Sequence, residues 1–257
     1  MPRRFEVVLF DLGDTLIYFD GDWDAVFTQA KEALLVSLQN HGYLVNRSFL
    51  SDFSKRIYIY YQEREIDNLE HSTKKILSDT LTSWGYPCVS DAVLTSVLSD
   101  MYIVTQAHWI PEADAIPTLA SLELSGYRMG LISNAADDKN TQTLVDKLGG
   151  RRYFEVIVSS AAAGIRKPNP KIFHSVLKQM EIDPEDAIMV GDKLNADIVG
   201  AQEAGIFAVW ITRRASTPSN QELIGIVYPD AVINTLAELP ALLEKLTLEI
   251  DEDKRFS

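Results

Sequence analysis

Phe5-Glu6-Val7-Val8-Leu9-Phe10-Asp11-Leu12-Gly13-Asp14-Thr15-Leu16 is the stretch on which the reading of this chain turns. Five of its first six residues are apolar, the pattern of a strand buried on both faces. An acidic turn containing glycine follows at once. Open α/β sheets gather their chemistry at the C-terminal ends of their strands, and Asp11 falls at such an end. A carboxylate desolvated there needs a cation or several N–H donors. On this stretch alone, Asp11 reads equally well as a helix cap or a turn residue.

Working outward, Ile17-Tyr18-Phe19 extends into a short hairpin with Asp20-Gly21-Asp22 as its turn. From Trp23 the pattern becomes helical, with Asp22 as N-cap and Val26, Ala30, Ala33, Leu34 and Leu38 on one face. Further helices are predicted over 49–68, 72–84 and 91–105. Nothing between residues 22 and 108 has strand character, so this is a helical insert. Its aromatics (Tyr58, Tyr60, Tyr61, Trp84, Tyr86 and Trp109) read as helix packing rather than a ligand cage.

From Pro111 onward strands and helices alternate. Strands are predicted at 128–134, 154–159, 187–190, 207–211 and 231–233, with helices at 115–125, 138–148, 170–180, 194–204 and 236–246. The stretch 212–228 is loop-like. Alternation of this kind predicts an α/β fold, a doubly wound parallel sheet with right-handed crossovers. The division expected is a core of 1–20 and 109–250, the helical insert 21–108, and a charged tail 251–257 that frays from Leu248.

Composition limits the function classes. The chain has 257 residues, 46% hydrophobic and 24% charged, which suits a globular protein large enough for a core and an insert. A formal charge of −13 argues against nucleic acid as partner. No run reaches the ~20 apolar residues of a membrane span, and Met1-Pro2-Arg3-Arg4 leads into a strand without a signal-peptide core. The single Cys88 excludes an internal disulfide and suits a cytoplasmic location. His41, His71, His108 and His174 have no metal-ligand spacing.

Each strand of the alternating half ends in small polar or charged residues: Asp11 and Asp14, then Ser133 and Asn134, then Lys167, then Asp192 and Asp197. In a parallel sheet these ends share one rim. Two carboxylates and a main-chain carbonyl suit Mg²⁺, a hard cation. A hydroxyl, a lysine and turn N–H groups suit a phosphate. Asp11 beside such a metal could attack phosphorus and form an aspartyl-phosphate.

These motifs resemble those of the haloacid dehalogenase-like hydrolases, a family dominated by phosphatases with an aspartate nucleophile. The resemblance runs from about Phe5 to Leu246. It rests on Asp11-Leu12-Gly13-Asp14-Thr15-Leu16, Leu131-Ile132-Ser133-Asn134, Arg166-Lys167-Pro168-Asn169-Pro170, and Val190-Gly191-Asp192 through Asp197-Ile198-Val199-Gly200-Ala201. It implies Asp11 as nucleophile and Ser133, Asn134 and Lys167 around the phosphoryl group. It implies Mg²⁺ on Asp11, Asp192 and the carbonyl of Gly13, with Asp197 supporting that site. By the same resemblance, the helical insert is a cap over the site.

One departure stands out. Phosphatases of this family carry Asp-x-Asp in the first motif, the second Asp being the general acid/base. Here Gly13 holds that place and Asp14 follows it. Asp14 is therefore either a displaced acid/base or a residue turned away from the site. The function expected is a Mg²⁺-dependent phosphatase acting on a small phosphorylated metabolite, weakened by Gly13. A binding or regulatory protein on an impaired phosphatase fold and a metal-independent 2-haloacid dehalogenase are the alternatives.

Overall fold

The computed structural model describes residues 3–253. The chain begins with strand β1 (Val7–Phe10) and the short β2 (Ile17–Phe19). Four helices follow: α1 (Trp23–Asn40), α2 (Arg47–Asp67), α3 (Thr73–Ser83) and α4 (Asp91–Gln106). Then come β3 (Trp109–Pro111), α5 (Ala115–Leu124), β4 (Arg128–Ser133), α6 (Asp138–Leu148), β5 (Val156–Ser159), α7 (Ser160–Ala163) and α8 (Pro170–Met180). Strand β6 (Ala187–Gly191) leads through a π-helical turn (Leu194–Val199) into α9 (Gly200–Glu203). The chain ends with β7 (Phe207–Ile211), α10 (Pro218–Gln221), β8 (Ala231–Ile233) and α11 (Leu239–Asp253).

Six strands form one sheet in the order β5-β4-β1-β6-β7-β8, with every neighbouring pair parallel. The all-buried β1 lies between β4 and β6, as its apolar run requires. Side-chain alternation winds the sheet on both faces. Val8 and Phe10 pack with Leu119, Leu144 and Leu243 on one face. Val7 and Leu9 pack with Phe173, Val176 and Ile198 on the other.

The α1–α4 helices have a hydrophobic cluster of their own, centred on Leu34, Leu38, Phe49, Phe53, Leu77 and Val97. Asp22 caps α1 as expected, accepting from the amide of Ala25 at 3.1 Å. The expected hairpin at 17–19 is not what forms. β2 pairs antiparallel with β3, Ile17 opposite Pro111 and Phe19 opposite Trp109, so the ribbon ties together both ends of the helical segment. A local turn signal cannot register a partner some ninety residues away. The last helix also runs past Leu248, where fraying was expected, to Asp253; the rest of the expected tail, 254–257, lies outside the described residues.

Candidate active site

Register explains why distant residues meet. Phe10 lies opposite both Leu131 and Val190, so the ends of β1, β4 and β6 are level and Asp11 emerges between Ile132 and Gly191. The amide of Asp11 donates to the carbonyl of Val190 at 3.0 Å. Lys167 enters this gap from the loop before α8 and is 2% exposed. Its ammonium uses all three protons: 2.6 Å to Asp11 Oδ1, 2.6 Å to Asp197 Oδ1 and 2.7 Å to the carbonyl of Ile132. Asn134 holds the lysine's main chain, accepting from its N–H at 2.9 Å and donating to its carbonyl at 2.8 Å. With both ends of its amide so engaged, Asn134 holds the main chain of Lys167 in place, and it also borders the cavity. Ser133 lines the cavity.

Asp192 follows β6 and is buried. Its carbonyl accepts from Trp210 Nε1 at 2.9 Å and Asn220 Nδ2 at 2.8 Å. Asn220 also accepts from the amide of Leu194, which fixes the turn. Asp197 presents Oδ1 to Lys167 and Oδ2 to the amide of Lys193 at 2.9 Å, so both its oxygens serve to orient neighbours. Its carboxyl packs directly over Gly191, where a Cβ would stand 2.3 Å from Asp197 Cγ; only glycine fits there.

Asp11, Asp192 and Asp197 each offer an oxygen within 4.8 Å of the others. Asp192 Oδ1 is buried and has no hydrogen-bond partner among the described residues. An unpartnered carboxylate oxygen among hard oxygen donors fits a small divalent cation such as Mg²⁺.

Burial pushes the Asp192 carboxyl up to about 8, helped by the charges of Asp197 and Asp11. Burial pushes Asp11 up to about 6, against the pull of Lys167. Burial disfavours the Lys167 ammonium, but Asp11 and Asp197 outweigh it and hold its pKa above the usual lysine range. The folded, metal-free protein therefore keeps protons on these carboxyls that the unfolded chain releases above about pH 4. Stability of the metal-free protein should fall as pH rises from about 4 to 8, and Mg²⁺ should restore most at the alkaline end. Melting temperatures in EDTA and in Mg²⁺ at pH 5 and pH 8 check this. Equal metal-free melting temperatures at the two pH values would refute it.

Gly13 and Asp14 both border the cavity. Asp14 adopts a left-handed conformation (φ 59°), with its amide donating to the carbonyl of Ile17 at 2.6 Å. Its Oδ2 is 4.0 Å from the ammonium of Lys193, which also lies 2.9 Å from Asp192 Oδ2. Burial raises the Asp14 carboxyl above its usual range, against the pull of Lys193 and Arg214. A Cβ on Gly13 would meet the indole of Trp109 at 3.4 Å, ordinary van der Waals contact.

Several cavity residues escaped sequence reasoning. Lys193 had one signal, a cation directly after Asp192. Tyr61 and Trp109 line the cavity instead of packing between helices, while Tyr58 is exposed. Asn220 comes from the stretch read as loop. Arg64 and Arg166 border the cavity beside the buried Glu70, which also accepts from Ser160 Oγ at 2.8 Å and from Tyr60. The amide of Arg166 donates to the carbonyl of Asn68 at 3.0 Å, and that of Thr73 to Ala136 at 2.7 Å. The α2–α3 segment is thereby stitched to the loop carrying Lys167 and to the loop after β4, beside a cavity of about 510 Å³ over the sheet edge.

No helix among the described residues is long and apolar enough to cross a membrane. Over 253 residues the chain is 29% identical to a glyceraldehyde 3-phosphate phosphatase of Pyrococcus furiosus, spanning 98% of this chain and 97% of that one. A phosphoserine phosphatase of Thermus thermophilus is 37% identical over 103 residues, 40% of either chain. A solved 2-haloacid dehalogenase from Pseudomonas syringae pv. Tomato superposes with a TM-score of 0.64 over 94% of this chain and 99% of its own. At 24% identity that is a likeness of fold alone. The profile of one family matches residues 5–205, from the strand before Asp11 to the glycine after α9. It takes in the whole cluster around Lys167, and on that match the chain belongs to the haloacid dehalogenase-like hydrolases.

Proposed function

We propose that this protein is a Mg²⁺-dependent phosphatase that hydrolyses a small phosphomonoester through an aspartyl-phosphate on Asp11. The observation that carries the reading is the triad of Asp11, Lys167 and Asp192. A strand-end carboxylate touches a buried ammonium and stands in one acidic group with a carboxylate whose Oδ1 has no hydrogen-bond partner among the described residues. Phosphatases among the relatives support it.

In this reading Asp11 Oδ attacks phosphorus in line and the ester oxygen departs on the opposite side. Lys167 offsets the charge that gathers on the phosphoryl oxygens, and Ser133 donates a hydrogen bond to one of them. Asn134 and Asp197 keep the lysine in place. Asp11, Asp192 and the carbonyl of Gly13 would hold Mg²⁺, which when bound supplies charge neutralisation at the transferring group. Water then releases phosphate and regenerates Asp11. The α1–α4 helices act as a cap that excludes bulk water. Position 13 supplies no proton, and Asp14, held beside Lys193, is the nearest substitute on that loop. A cytoplasmic enzyme suits the single, exposed thiol of Cys88.

Phosphate release from a panel of phosphomonoesters is expected to require Mg²⁺ and to stop in EDTA. Halide release from 2-chloropropionate without metal would favour the dehalogenase chemistry instead. Phosphate binding with no turnover across the panel would favour a binding protein.

A further inference from the structure

We infer that the substrate is an aryl phosphate, a phosphomonoester whose leaving oxygen sits on an aromatic ring. The inference rests on the phosphatase reading and adds the leaving group to it. Two independent features point the same way.

The first is chemical. An alkyl ester must expel an alkoxide, nearly as basic as hydroxide, whose parent water has a pKa of about 15.7. Such a group needs a proton as the bond to phosphorus breaks. A phenol of the tyrosine type has a pKa of about 10, so its oxygen leaves far more readily as the anion. Gly13 offers no proton, the nearest acid on its loop, Asp14, is turned towards the ammonium of Lys193 at 4.0 Å, and the space beside Gly13 is bordered by the indole of Trp109, 3.4 Å from where a Cβ would stand. The site is therefore suited to esters whose leaving group departs unprotonated.

The second is the shape and lining of the cavity. Asp11 approaches from the sheet edge, so in-line displacement sends the leaving group into the half of the cavity formed by the helices. A row of four aromatic rings runs from the β2–β3 ribbon to α1, and three of them border the cavity. Trp109 meets Phe19 edge-on at 5.5 Å, Phe19 meets Trp23 edge-on at 4.8 Å, and Trp23 stacks on Phe27 at 5.8 Å with planes 9° apart. Trp23, Phe27 and Trp109 line the cavity together with Met101 and Tyr102. Trp23 borders this cavity and is 45% exposed, so a ring seated against it would remove apolar surface from water. A three-carbon alkyl ester would leave most of this wall untouched. The volume of about 510 Å³ is that of a site for a larger organic group.

The test compares phenyl, cyclohexyl, ethyl and acetyl phosphate on the wild-type protein with saturating Mg²⁺. Phenyl and cyclohexyl phosphate have similar outlines but differ in leaving-group basicity, whereas acetyl phosphate has a good leaving group and no ring. The value of kcat/KM for phenyl phosphate should exceed that for cyclohexyl phosphate by at least about 10², the range of a missing acid catalyst. KM for phenyl phosphate should lie at least about tenfold below that for acetyl phosphate, and Trp23→Ala should raise it by about fivefold or more. Gly13→Asp should raise kcat/KM for cyclohexyl phosphate about tenfold relative to that for phenyl phosphate, narrowing the gap between the two. Cyclohexyl or ethyl phosphate matching phenyl phosphate in kcat/KM would overturn the inference while leaving the phosphatase reading intact. So would equal KM values for phenyl and acetyl phosphate. No turnover of any of the four would overturn the phosphatase reading, and this inference with it.

Discussion

Asp11→Asn should lower phosphate release at least about 10³-fold, the largest effect expected of any single substitution in this chain. The two side chains are nearly isosteric, but a neutral carboxamide oxygen is a poor nucleophile and a poorer partner for the ammonium of Lys167, now 2.6 Å away. The fold should survive, because Lys167 keeps Asp197 and the carbonyl of Ile132 as partners. It should also survive because burial already makes the charged form of Asp11 costly. Rates measured beside circular dichroism spectra check both halves. Quenched wild-type protein, but not the variant, should carry the mass of one added phosphoryl group. Turnover above about one per cent of wild type would point to another nucleophile.

Lys167→Met is the second. It removes a cation that two buried carboxylates share, in a side chain that is 1% exposed. Breaking a buried pair by removing one partner costs about 3–5 kcal/mol, because the remaining charge is left uncompensated. Activity should fall by about 10²–10³ or more, the range for losing a preorganised charge in a water-poor site. The stability loss should depend on pH with a definite sign. At low pH the carboxyl of Asp11, which burial holds above its usual range, takes up a proton and the missing cation matters less. At pH 8 that carboxyl is ionised in the unfolded chain, and the variant should be at its weakest relative to wild type. Melting temperatures of both proteins from pH 5 to pH 8 check this. A pH-independent difference would mean that Lys167 acts by packing alone.

The meeting of the strand-end residues at one rim was legible in the sequence, because the pattern behind it is local. A run such as Val7-Val8-Leu9-Phe10 reports that a strand is buried, and a polar residue directly after it reports a strand end. Parallel topology then brings Asp11, Ser133, Lys167, Asp192 and Asp197 to one cavity. Asn134 was legible as a strand-end residue but not as one whose amide is turned onto the lysine's main chain, which depends on how two loops cross. Asp14 was legible as an acid beside Gly13. Its neighbours Lys193 and Arg214 come from the ends of other strands. For Tyr61 and Trp109 the composition argument failed, because an aromatic residue that packs between helices and one that faces a cavity have the same periodicity.

By itself the sequence determined that strands and helices alternate, that a helical segment interrupts them, and that one rim of the sheet is acidic and receives Lys167. Hydrophobic period and strand-end polarity are properties of neighbouring residues, so they survive without coordinates. Only the tertiary structure decided that β2 closes on β3 and that Glu70 ties α2 and α3 to the lysine loop. It also decided that Lys193 reaches both Asp14 and Asp192, and that Trp109, Trp23 and Phe27 border the cavity. Each of these is a contact between segments far apart in the chain. Periodicity specifies which face of an element is buried, and the packing of the whole chain specifies what that face is buried against.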